Sequence, residues 1–406
     1  MYRIMNIQPS TTNNPQQLPQ NGNPVALAIA FGHFVNDFFA NMLAPLLPLL
    51  SIKYGLSNAA LGWIIAIFSL SADFTQPFFG MAIDNNRRGS YLVWAILWLG
   101  LIMSLIGRAH SFWALAVLAF LGGIGSGLFH PLGATLITRV VPYQKHGFWM
   151  SMHFVLGNLG YALAPLLVIP LATKFGLEAS LWLFIPTLIF SLLLYFSGLK
   201  DVQDQGGVRS PLASLHILKD HLHLVWVPVL AINCIVFLRT WVAAGLNTFL
   251  PTLMVQLGHS AIYGGQLLSV FLAVGALAGF LGGYLMDKIG ARKLLSGSLL
   301  LGTLFLWLFY RSTGVWSWLT IALAGAAINC SLPVTVLEIQ RLLPANAGLA
   351  SGLISGLVSA CVSFFLPLTG AIADIWGPNT ALYLFLPLLP VAAVLTRFLP
   401  EHKPLQ

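Results

Sequence analysis

In a membrane-length apolar run near the start of the chain, the stretch Phe31–Asn41 reads FGHFVNDFFAN. His33, Asp37 and Asn41 fall at i, i+4 and i+8, a spacing that stacks side chains along one face of a helix. Burying an acid in such a run costs about 3 kcal/mol or more, so it normally faces a partner or a water-filled cavity. Burial and a neighbouring cation pull a carboxyl's proton affinity in opposite senses, so a carboxyl beside an imidazole can take up and pass on a proton. The chemistry this spacing allows is proton binding and relay. The competing reading is a permanently hydrogen-bonded structural aspartate.

Few other polar groups interrupt the apolar runs. Asp73, followed by Gln76 and Pro77, and Glu338 are the other two acids well inside them. With His33 and Asp37 they form the candidate proton-coupling set. Arg239 is the one basic residue inside a run, and its planar fork of donors suits either a carboxylate or an anionic substrate. Asn41, His130 (before Pro131), His153, Gln266 and Asn329 complete a candidate substrate-binding set. A lone membrane histidine is more often a packing residue than a ligand, so His130 and His153 gain weight only if the fold brings them together. Ser351, Ser355, Ser359 and Ser363 make an i, i+4 stripe that reads as a helix-packing seam.

These residues need helices that cross a bilayer. The 406 residues are 58% hydrophobic and 7% charged, against about 25% charged in a soluble domain. The chain is therefore an all-α polytopic membrane protein. Its net charge of +8 comes from basic residues scattered through short loops, which argues against a nucleic-acid partner. Cys234, Cys330 and Cys361 sit in apolar runs at unrelated spacings and read as small core residues. Twelve runs near the ~20 residues needed for a crossing are expected at 25–50, 58–82, 90–107, 112–138, 147–171, 179–198, 224–256, 263–286, 294–311, 316–340, 347–373 and 379–398. We number them spans 1 to 12.

The one long polar break, 200–223, carries His216, His221 and His223 and reads as a cytoplasmic linker between two six-helix halves, 25–199 and 224–398. Residues 1–24, polar and lacking a signal-peptide pattern, and 399–406 are expected to be cytoplasmic tails. With both termini inside, the cytoplasmic side receives Arg3, Arg87, Arg88, Arg139, Lys145, Lys200, Arg209, Lys219, Lys288, Arg292, Lys293, Arg341, Arg397 and Lys403. The outside receives only Lys53, Arg108, Lys174 and Arg311. That bias supports the span count and the orientation, and the expected location is the inner (plasma) membrane of a bacterial cell.

An internal repeat appears at an offset of 203 residues: Pro48, Gly55, Ser57, Gly62, Phe68, Gly80 and Asp84 match Pro251, Gly258, Ser260, Gly265, Phe271, Gly283 and Asp287. The shift is half the chain, as expected for two parallel repeats related by an axis along the membrane normal. It maps Asp37 onto Thr240, placing Arg239 at nearly the depth of Asp37. Arg239 is then a candidate partner of Asp37, released when the acid is protonated.

Gly80-x-x-x-Asp84 with Arg87-Arg88, and Gly283-x-x-x-Asp287-Lys288-x-Gly290-x-Arg292-Lys293, resemble the loop 2–3 and loop 8–9 signature of the major facilitator superfamily. The resemblance implies the major facilitator fold and a gating role for these residues, which tie cytoplasmic helix ends together in the outward-open state. The first copy has Asn85-Asn86 where the second continues toward Gly290. A narrower resemblance, to the fosmidomycin resistance-type efflux proteins, rests on HFVND (33–37), GSGLFHP (125–131), KHG (145–147), GNLGYALAPLL (157–167) and LLPANAGLASGL (342–353). Leu132 stands where that resemblance leads one to expect an acid, and Glu338 lies one turn before the expected acid of span 10. Gly157, Gly160 and Ala164-Pro165 look like a degraded form of the superfamily's antiporter signature in span 5.

The expected activity is proton-coupled export of small organic compounds or drugs by alternating access, by a monomer whose partners are substrate, protons and lipid. The alternative is a proton symporter importing an organic anion or siderophore-like solute. No G-x-S-x-G, H-E-x-x-H or phosphate-binding G-x-x-x-x-G-K-[ST] occurs, so neither an intramembrane enzyme nor an ATP-driven pump is expected. No cofactor and no metal are expected.

Overall fold

The computed structural model describes residues 22–84, 87–199, 202–204, 211–343 and 356–400. Twelve helical spans among them are long and apolar enough to cross a membrane. Spans 1 to 6 are Asn23–Tyr54, Asn58–Gln76, Gly89–Arg108, Phe112–Val140, His146–Phe175 and Leu177–Phe196. Spans 7 to 12 are Val225–Gln256, Ala261–Ile289, Ala291–Arg311, Val315–Leu342, Val358–Trp376 and Pro378–Phe398. Helices dominate because a hydrocarbon environment offers no outside partner for backbone N–H and C=O groups. Most of the expected N-terminal tail, Asn85-Asn86, Ser351 and Ser355 of the serine stripe, and 401–406 lie outside the described residues.

The 203-residue repeat reappears in the turn geometry. Gly55 and Gly258 adopt φ of 61° and 91°, values that glycine alone reaches cheaply. Two residues on, Ser57 Oγ accepts from Ala60 N at 3.2 Å and Ser260 Oγ accepts from Tyr263 N at 3.1 Å. Each serine therefore caps the helix that follows, and spans 2 and 8 start alike.

Span 1 is not one straight rod. Its helix runs Gly22–Ala40, breaks, and resumes as Leu43–Tyr54. Pro45 has no N–H for the carbonyl of Asn41, and its ring crowds that carbonyl. The turn tightens there, with Met42 N donating to Phe39 O at 3.2 Å.

Within the first half, span 1 lies against span 5 at Gly157 and Gly160, where a Cβ at 160 would collide with the carbonyl of Phe34. The two halves meet through span 2 against span 11 and span 5 against span 8. At the first crossing a Cβ on Gly62 would stand 2.7 Å from the Leu366 carbonyl. At the second, a Cβ on Gly265 would collide with Ile169. Small residues thus let the backbones of opposite halves approach.

The central linker carries structure of its own. Helix runs from Pro211 to Gln256 but kinks at the non-helical Val225 (φ −123°, ψ 15°), so a separate helix in the linker leads into span 7. His216, His221 and His223 lie on that linker helix. Before it, Gln203–Asp204 pairs antiparallel with Arg87–Arg88 in a two-residue ladder, with Arg87 opposite Asp204.

Candidate functional site

Asp37 sits inside the first half, one turn before the break in span 1. Its Oδ2 is 3.2 Å from His33 Nε2, one turn earlier on the same helix. Its Oδ1 accepts from Asn36 Nδ2 at 2.9 Å and lies 3.9 Å from His130 Nε2 of span 4. The Asn36 amide is also 3.4 Å from Ser126 Oγ and 3.5 Å from His130 Nε2. Span 5 closes the other side: the rings of His33 and His153 are 4.1 Å apart at 33°, and Phe129 stacks on His153 at 17°. The His33 and Asp37 side chains are 6% and 17% exposed, while His130 keeps 34% of its surface open.

Gly157 makes this packing possible. A Cβ there would come within 2.8 Å of both Asp37 Oδ2 and His33 Nδ1. The glycines of span 5 therefore bring that backbone directly onto the acid and the imidazole.

The hydrogen-bond inventory fixes one hydrogen. His33 Nδ1 is 2.9 Å from the backbone carbonyl of His153, which can only accept, so Nδ1 carries a hydrogen. Nε2 then faces the carboxyl of Asp37. A neutral imidazole against a carboxylate would set two lone pairs 3.2 Å apart. One further proton belongs on that edge, on the ring or on the acid.

His33, Asp37 and His130 also present ligand-type atoms within 4.8 Å of one another, a grouping that the sequence spacing did not reveal. Transition metals use such donors. The Asn36 amide, however, donates to Asp37 Oδ1, and that hydrogen would repel a cation bound there.

The fold therefore brings together His33, Asp37, His130 and His153. It adds Asn36 and Ser126, which lie inside HFVND (33–37) and GSGLFHP (125–131) but whose partners no sequence spacing reveals. Asn41 goes elsewhere. The break in span 1 turns it from the His33–Asp37 face toward the interface between halves, where its Nδ2 donates to Tyr161 O at 2.8 Å. Asn247 of span 7 donates to Asn41 Oδ1 and contacts Tyr161 Oη, each at 2.9 Å. Neither Asn247 nor Tyr161 was singled out from sequence; each is one polar residue in an apolar run.

Arg239 does not pair with Asp37. Its side chain is buried, with Nη2 donating to Thr240 Oγ1 at 3.0 Å, and among the described residues no carboxylate lies within 4.0 Å. Asp37 is instead satisfied within its own half. Glu338 is fully buried near the C-terminal end of span 10 and binds Arg341 Nη1 at 2.9 Å, one turn on. Asp73 keeps local company, with Gln76 Nε2 3.4 Å away. Gln266 is half-buried on span 8, and Asn329 donates to Gly325 O of its own helix at 3.0 Å. None of these joins the cluster.

At the second gating motif, Gly290 takes φ 85° between spans 8 and 9. Asp287 and Lys288 are exposed, with Lys288 Nζ 4.5 Å from the Tyr284 ring centroid. The side chains of Asp84, Arg87 and Arg88, and the surroundings of Gly80, lie outside the described residues.

Residues 29–275 and 232–406 match the family model described as Major Facilitator Superfamily. The chain is 26% identical over 387 residues to the fosmidomycin resistance protein of Escherichia coli (strain K12), covering 93% of this chain and 92% of that protein. It is 27% identical over 396 residues to the uncharacterized MFS-type transporter YfnC of Bacillus subtilis (strain 168), covering 94% of each. A bacterial homolog of the human lysosomal transporter Spinster, inward-facing and occupied, superposes with a TM-score of 0.74 at 15% identity, over 92% of this chain and 95% of that one. A D-xylose-proton symporter gives 0.72 at 18% identity, over 93% and 98%. The solved structures bear on the fold alone.

Proposed function

The chain belongs to the Major Facilitator Superfamily, and from that premise we propose that it exports small organic compounds in exchange for protons. It is a multi-pass membrane transporter, not an enzyme. The observation that carries the proton coupling is the His33–Asp37 edge. Both ring nitrogens face acceptors, so the pair holds a proton that the membrane interior cannot otherwise supply. His130, the most open member, offers the route by which that proton exchanges.

In this reading the halves 25–199 and 224–398 rock about a site near the midplane, with substrate bound between them. Asn41, Tyr161 and Asn247 already span that interface and are suited to contact it. The protein works as a monomer in the inner membrane with both termini cytoplasmic. Export is favoured by the likeness to a protein named for fosmidomycin resistance. A second reading, proton-driven uptake of an organic anion, is favoured by Arg239, a buried guanidinium hydrogen-bonded only to a threonine hydroxyl among the described residues.

The deciding experiment is proton movement in energised inverted vesicles, followed with a pH-sensitive dye across antibiotics and organic anions. A compound that dissipates the gradient with wild type but not with Asp37→Asn establishes antiport. If no compound moves protons, or if the variant matches wild type, proton antiport is wrong and Asp37 is structural.

A further inference from the structure

Asp374 lies one turn from the outer end of span 11, in the second half of the molecule. Its Oδ1 accepts from the backbone N and the Nδ2 of Asn58, each at 2.8 Å, and its Oδ2 accepts from Ala59 N at 2.9 Å. Asn58 and Ala59 open span 2, in the first half. The first N–H groups of a helix have no intrahelical acceptor and carry the positive end of its dipole. Asp374 thus caps a helix of the opposite half. Gln256, ending span 7, adds a bond from its Nε2 to Asn58 Oδ1 at 3.0 Å.

Directly beneath, the backbones are in contact: Gly62 meets Leu366 and Pro367, and Gly370 meets the Asn58 carbonyl. The tie is one-sided. At the pseudo-equivalent crossing of spans 8 and 5, the 203-residue offset puts Ala261 and Leu171 in these places, and the contact there is Ile169 against Gly265.

We infer that Asp374 is the positioning residue that holds the outer end of the transport path shut, by capping span 2 across the interface between halves. Opening toward the outside separates spans 2 and 11 and strips span 2 of its borrowed cap. Asp374 therefore sets the balance between the two faces without touching the proton site. This rests on the alternating-access reading but not on its proton chemistry, so failure of antiport would leave it standing.

The test uses the full-length chain in lipid nanodiscs, with Cys234, Cys330 and Cys361 replaced by Ala. Spin labels at Lys53 and Val315 report the outer ends of the two halves; labels at Phe148 and Ile289 report the inner ends. Asp374→Asn should raise the population with a long outer distance by roughly tenfold, the scale of a lost helix cap. The inner distance should shorten in step, which mere loosening would not do. Gln256→Ala, which leaves the cap in place, should shift much less. Asn58→Pro provides a second arm: it removes the donor N–H and the amide while proline suits a helix start. It should open the outer end even if Asp374→Asn fails to fold. Unchanged distances in the folded variants, or an outer opening without inner closure, would overturn the assignment.

Discussion

Replacing Arg239 separates two meanings of a buried cation. If its fork grips a planar anion, Arg239→Lys keeps the charge yet loses the paired donors, and transport of such an anion should fall by roughly tenfold or more. Uptake or efflux of a radiolabelled carboxylate or phosphonate in vesicles measures this; near-wild-type rates for lysine would reduce the role to charge. At this scale the sequence was legible where one rare residue type stands in an apolar run, as with His33 and Asp37. It was not legible where the partner comes from another helix. Nothing in the spacing of His130 or His153 shows that they meet His33, because spans 4 and 5 arrive from 90 residues or more away in the chain. Arg239 erred the other way: equal depth by symmetry says nothing of which face of span 7 it occupies.

Span 5 acts as a wall pressed against the His33–Asp37 pair, and its glycines are what let it approach. Gly157→Val would drive a branched side chain into His33 and Asp37, at a cost of about 1–3 kcal/mol. A lower thermal midpoint in detergent should accompany lost proton coupling, whereas a lipid-facing change such as Leu166→Val should leave both alone. The glycines were visible in sequence, although ordinary packing explained them equally well. The break in span 1 is not legible, because prolines such as Pro45 and Pro48 are commonplace in membrane helices. Its effect depends on what fills the gap at Asn41, and Asn247 supplies that from the other half. Ser57 and Ser260 are the opposite case, where matched letters became matched caps.

For the whole molecule, twelve spans and two halves were legible because bilayer thickness, loop charge and an offset of half the chain constrain the same map. The orientation it gives is directly testable. In a background without native cysteines, Lys53→Cys should react with a membrane-impermeant maleimide added to intact cells. Cysteine placed at Lys288 should react only after the cells are opened. The reverse pattern would invert the topology.

The linker has a mechanical consequence. Its first strand is bound to the loop after span 2, and its last part is already helix running into span 7. Between Asp204 and Pro211 the chain can reach at most about 25 Å when fully drawn out. The two halves are therefore joined by a short leash. Any swing that asks for more slack must first peel Arg87 and Arg88 from Gln203 and Asp204, so the length of this cord bounds the stroke of the machine.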